Sequence, residues 1–124
     1  MLKKFTLLFL YTLLISCENK VAIEGFDGQN WKDDKLGCQG KRDQLAPIIL
    51  EQRDKILGLS ESEILNLMGR ADFLELSKRN QKFYFYYFLP GPQCEKTLSG
   101  EKNQTLQIRF NSVGYANEIM INRN

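Results

Sequence analysis

The pattern of apolar and polar positions divides the chain into four stretches. Lys3 and Lys4 precede an apolar run from Phe5 to Ile15, which ends in Ser16 and Cys17. As a helix this run reaches about 16 Å against a hydrocarbon core of about 30 Å, so it is too short to span a bilayer. A charged start, a short apolar middle and a small residue at the end is the layout of an export signal. From Glu18 to Asp34 the chain is polar, contains glycine and lacks periodicity, which predicts a flexible tether over 17–34. Trp31 interrupts it and marks where the chain docks, a buried indole being the expectation and an exposed partner anchor the alternative.

Helical spacing follows. Leu45, Ile48, Ile49 and Ile56 form one stripe, with Asp43 as the expected cap and Pro47 tolerated in the opening turn, so the spacing predicts a helix of about four turns. Gly58 breaks it. Ser60-Glu61-Ser62-Glu63 has the capping-box pattern, Ile64, Leu65, Leu67 and Met68 give a second stripe, and Gly69 suits a left-handed stop.

Beyond Asp72 the period falls to two. Phe73–Leu76, Lys82–Leu89, Thr105–Phe110 and Tyr115–Asn122 read as strands, separated by Lys78–Gln81, by Pro90-Gly91-Pro92 with a polar loop over 95–103, and by Asn111–Gly114. The expected fold class is α+β, two N-terminal helices packed on a three- to four-stranded antiparallel meander, in a single domain over 35–124. Period two assigns Phe83, Phe85, Tyr87, Leu106, Ile108, Phe110, Ile119 and Ile121 to the core. The opposite face then carries Tyr84, Tyr86, Phe88, Gln107, Arg109, Glu118 and Met120. Aromatic, Met and Arg side chains are enriched at protein interfaces, so Tyr84, Tyr86, Phe88, Arg109 and Met120 are the candidate partner-binding residues. The alternative is that a loop, the tether or a second copy covers this face.

Charge and cysteine count change the picture at two points. The sequence has 17 basic and 15 acidic residues, and removing Lys3 and Lys4 with the leader leaves 15 of each. A neutral surface argues against nucleic acid as a partner, which would need clustered cations. Asp33-Asp34 and Lys41-Arg42 read as solvated loop charges. Cleavage before Cys17 removes 16 of the 124 residues and leaves 108, enough for one domain. The three cysteines are an odd set. Leu14-Ile15-Ser16-Cys17 resembles a lipoprotein lipobox, and the acylation of Cys17 which that resemblance implies leaves Cys38 and Cys94 as an expected disulfide, with two unpaired cysteines as the alternative.

Leu14-Ile15-Ser16-Cys17 resembles the lipobox of bacterial lipoproteins, which implies cleavage of residues 1–16 as signal peptide and acylation, palmitate included, of Cys17. Gly58-Leu59-Ser60-x-x-Glu63-Ile64-x-x-Leu67-Met68-Gly69-x-x-Asp72, then an aromatic strand, then Leu106-x-Ile108-x-Phe110-x-x-x-Gly114, resembles the small outer-membrane lipoproteins of the SmpA/OmlA (BamE-like) type over residues 43 to 122. That resemblance implies two helices on a three-stranded antiparallel sheet and assistance to β-barrel insertion, and the same fold recurs in secreted β-lactamase inhibitors. Ala71 stands where the family commonly has proline, and the segment Trp31 to Cys38 and the loop with Cys94 lie outside its motif. The chain is also similar to uncharacterised Gram-negative lipoproteins with this Trp, Gly-Cys and Pro-Gly-Pro-x-Cys arrangement.

Catalysis is not expected. The sequence has no histidine, hence neither the usual general base nor a Ser-His dyad. Cys38-Gln39-Gly40-Lys41 has no second close cysteine for redox or zinc chemistry, and the glycines are too scattered for a phosphate loop. The reading is a non-catalytic lipoprotein without cofactor or small-molecule substrate, anchored through Cys17 in the cell envelope. The expected site is the outer membrane facing the periplasm, where the protein binds an envelope protein as a scaffold subunit. An inhibitor or sequestering protein is the alternative, and a structural envelope lipoprotein a third.

Overall fold

Helix α4 (Glu61–Met68) shows most directly how sequence becomes structure in this protein. The computed structural model describes residues 21–95 and 104–123. The expected leader, the acylated Cys17 and most of the polar loop over 95–103 lie outside these residues. In α4 the Ser60 hydroxyl accepts from the Glu63 N–H at 3.2 Å, and the Glu63 carboxylate reaches back to the Ser60 N–H at 3.4 Å. Two otherwise orphaned donors are thereby satisfied. The stop at Gly69 differs from the expected left-handed cap: its φ of 74° and ψ of −171° place it in a region open essentially to glycine alone. A Cβ there would also lie 3.0 Å from Lys32 Cγ.

The expected first long helix is two pieces, α2 (Lys41–Glu51) and α3 (Arg53–Ile56), with Gln52 at the joint outside helical geometry. Leu45, Ala46, Ile49 and Ile56 are buried, as the helical stripe requires. Its cap is not Asp43. The Asp34 carboxylate, fully buried, accepts from the N–H groups of Gln39, Lys41 and Arg42 at 2.7 to 3.0 Å. It serves the helix start from seven residues upstream.

Strands β1 (Phe73–Leu76), β2 (Lys82–Tyr87), β3 (Gln104–Phe110) and β4 (Ala116–Arg123) form one antiparallel sheet in the order β1-β2-β3-β4. With the helices preceding it in sequence, the fold is α+β, as expected. The helices cover one face. Between them lies the core: Ile23, Trp31, Ile49, Ile56, Ile64 and Met68 against Tyr84, Tyr86, Phe88, Leu106, Ile108, Phe110 and Ile119.

Two expectations are corrected here. Residues 21–34 are not a free tether: Ile23 is buried, helix α1 (Gly28–Asp33) is capped by Asp27, and Trp31 is fully buried. Trp31 packs against Phe26 and Tyr86, so the apolar residues in this polar stretch belong to the core. The second correction is the phase of β2. Tyr84 pairs with Ile108 and Tyr86 with Leu106, which puts both tyrosines on the helix side of the sheet.

Candidate functional site

Strand pairing sets out the face turned away from the helices in cross-strand rows. One row runs Phe73, Phe85, Gln107, Met120; the next runs Glu75, Phe83, Arg109, Glu118; a third holds Tyr87, Thr105 and Asn122. Phe73 stacks on Phe85 with ring centroids 4.3 Å apart and planes 5° apart, and Phe83 and Tyr87 lie at the edges of this pair. Phe85 is buried beneath its neighbours, whereas Phe73, Phe83 and Tyr87 are half-buried and Met120 is 42% exposed. Arg109 bridges to Glu118 at 2.8 Å and donates to Asn117 at 3.2 Å, so its cation is held flat along the strands. The result is an aromatic strip with a polar, ion-paired border.

Of the residues expected to bind a partner, Arg109 and Met120 are on this face and Tyr84, Tyr86 and Phe88 are not. All three are buried against the helices. The physical reason is that the helix layer offers acceptors for the two phenols: Tyr84 donates to Glu61 at 2.8 Å and Tyr86 to the Gly69 carbonyl at 2.8 Å. A buried hydroxyl needs such a partner, and phenylalanine on the other face needs none. Burial, the hydrogen bond to Glu61 and the charge of that carboxylate push the Tyr84 phenol up to about 12. Burial pushes the Tyr86 phenol still higher. Phe83 and Tyr87, expected in the core, take half-buried outward positions instead, and Phe85 is buried as expected but on the same outer face.

A second cluster ties the N-terminal segment to the end of β2. Arg42, 1% exposed, donates from Nε to the Trp31 carbonyl and from one terminal nitrogen to Asp72 at 2.7 Å and to the Tyr87 carbonyl at 2.9 Å. Its guanidinium lies 5.0 Å from the Trp31 ring centroid. Asp72 also accepts from the N–H groups of Leu36 and Tyr87. Each charge is paired and its hydrogen-bonding capacity largely used, which is what makes a buried ion tolerable. Asp34 and Arg42, read from sequence as solvated charges, are therefore the fixed points of this corner. Cys38 and Cys94 are joined in a disulfide with Cα atoms 5.8 Å apart, which fastens the same corner to the segment after β2. Gly37 touches the Tyr87 carbonyl, where a Cβ would come within 2.8 Å.

The ions of the corner are paired, while the buried Trp31 Nε1 and Gln93 Oε1 have no hydrogen-bond partner. Leu74 and Leu76 add a small apolar overhang at edge strand β1, 52% and 72% exposed. No helix among the described residues is long and apolar enough to cross a membrane. No family model, no curated protein and no solved structure matches the chain.

Proposed function

We propose that the protein is a non-catalytic, lipid-anchored cell-envelope lipoprotein that binds a protein partner as a scaffold subunit through the outer face of its sheet. The observation that carries this reading is the strip of Phe73, Phe83, Phe85 and Tyr87 left uncovered by the helices and bordered by Arg109, Glu118 and Met120. Rigid aromatic rings ringed by polar groups are the composition of an interaction hot spot. The anchor belongs to the proposal through the lipobox-like Leu14-Ile15-Ser16-Cys17, and two or more acyl chains would hold the protein firmly where one would not. An outer-membrane position facing the periplasm and a place in β-barrel assembly follow from the SmpA/OmlA (BamE-like) resemblance. The capped α4 leading into an aromatic strand is consistent with it.

The test is cross-linking in the native envelope with wild type and with a Phe83→Ala, Tyr87→Ala, Met120→Ala variant. A partner linked to wild type and lost from a variant that still folds and forms the disulfide supports the reading. The same partner recovered equally from both removes this face from consideration. Inhibition of an envelope enzyme by the purified chain, abolished by the same substitutions, would favour the sequestering alternative.

A further inference from the structure

The chain is fixed in the body from its first described residue. Val21 packs against the core, and Ile23 is a buried member of it. The Glu24 main chain is gripped in both directions by one side chain: its N–H donates to Gln52 Oε1 at 3.0 Å, and its carbonyl accepts from Gln52 Nε2 at 2.6 Å. Gln52 is the joint between α2 and α3, so the chain is held to the helix layer three residues after Val21. Only residues 18–20 separate Val21 from Cys17. Fully extended, that stretch reaches about 14 Å between Cα atoms, at about 3.5 Å per residue.

We infer that the helix layer around Gln52 rests on the lipid headgroups of the bilayer, and that the aromatic sheet face points away from the membrane. The inference rests on the acylation of Cys17 proposed above. A leash of about 14 Å scarcely exceeds the diameter of one helix, about 10–12 Å with side chains. To turn the aromatic face to the bilayer the leash would have to cross the depth of both the helix layer and the sheet. The surface at the exit suits headgroups and not hydrocarbon. Glu24, Glu51, Arg53, Asp54 and Lys55 are exposed and of both signs, a match for the phosphates and amines of zwitterionic lipids. Lys55 also donates to Gln52 at 3.1 Å, placing a cation beside the grip on Glu24. The same geometry gives the proposed protein partner free access from the aqueous side.

The full-length acylated protein would be reconstituted in phosphatidylcholine–phosphatidylethanolamine vesicles and labelled with a fluorophore at Asp54→Cys or at Met120→Cys. Quenching by a lipid with a nitroxide on its headgroup reads the distance of each label from the membrane surface. The expected result is severalfold stronger quenching at position 54 than at 120. Inserting about 20 Gly/Ser residues before Val21, a coil with a typical span of about 25 Å, is expected to collapse the difference. Equal quenching at the two positions, stronger quenching at 120, or a difference that survives the insertion overturns the inference. Intact mass of the vesicle-bound protein separates the two levels of failure. Acylated protein with the wrong quenching order sinks the orientation alone, and protein without acyl chains sinks the anchoring on which it rests.

Discussion

Arg42 is the residue on which most of the N-terminal corner converges, because its fork meets Asp72, the Trp31 carbonyl and the Tyr87 carbonyl at once while its face lies over an indole. Removing the cation leaves Asp72 buried and uncompensated, which typically costs about 3–5 kcal/mol. Arg42→Met is accordingly expected to lower the unfolding free energy by that much, read as a lower urea midpoint at an unchanged slope. Arg42→Lys should recover only part, since an ammonium cannot hold the same planar set of acceptors. Tyr84 gives a pH-dependent counterpart. A phenol raised from 10.0 to about 12 in the folded protein favours folding fully below pH 10, and that contribution is lost as pH rises toward 12. Tyr84→Phe should flatten the fall in stability across this window in denaturation curves taken at successive pH values. Of this corner the buried Trp31 and the Cys38–Cys94 bridge were legible in the sequence, whereas Asp34 and Arg42 look there like any charged loop residues. Nothing periodic links them, since the contacts are set by a turn that the disulfide and Gly37 fold back against β2.

At the scale of elements, legibility followed the strength of the local code. The cap of α4 and the place of its stop were readable because each is satisfied within a few residues, though Gly69 is not left-handed and Leu65 of the stripe is exposed, and β3 was readable because Leu106, Ile108 and Phe110 alternate with polar residues. Strand β2 was readable as a strand but not in phase, since both of its faces are aromatic and period two then carries no sign. The phase is fixed by distant acceptors, Glu61 and the Gly69 carbonyl, that only the folded chain brings opposite the tyrosines. This makes a sharp contrast available. Tyr86→Ala empties a fully buried site and is expected to cost about 3–5 kcal/mol, whereas Phe83→Ala on the half-buried outer face should cost a small fraction of that in the same denaturant series. Equal losses would mean that the outer face is packed as tightly as the core. For α4 itself, Ser60→Ala is expected to cost about 1 kcal/mol through the lost cap.

For the whole molecule, the sheet and the N-terminal segment are joined through one corner. Adjacent strands in sequence pair with each other throughout the sheet, and β3 and β4 follow one another through the short turn at Asn111–Gly114. Residues 21–42, by contrast, reach the end of β2 only by closing a long loop, and the disulfide between positions separated by 56 residues holds that loop shut. In the chain-entropy account a bridge of this span stabilises by about 4 kcal/mol, a large share of the roughly 5–15 kcal/mol of an ordinary domain. The Cys38→Ser, Cys94→Ser variant should therefore unfold at much lower urea concentration. The order of events is the more telling measurement. Trp31 is the sole tryptophan and sits in this corner, so its emission reports docking of the N-terminal segment, while far-UV circular dichroism reports helices and sheet together. If the bridge mainly holds the corner, the tryptophan transition in the variant will precede the circular dichroism transition, as a locally less stable unit opening first. Coincident transitions would show instead that the corner and the sheet remain one cooperative unit, and that Arg42, Asp34 and Asp72 suffice to couple them without the covalent link.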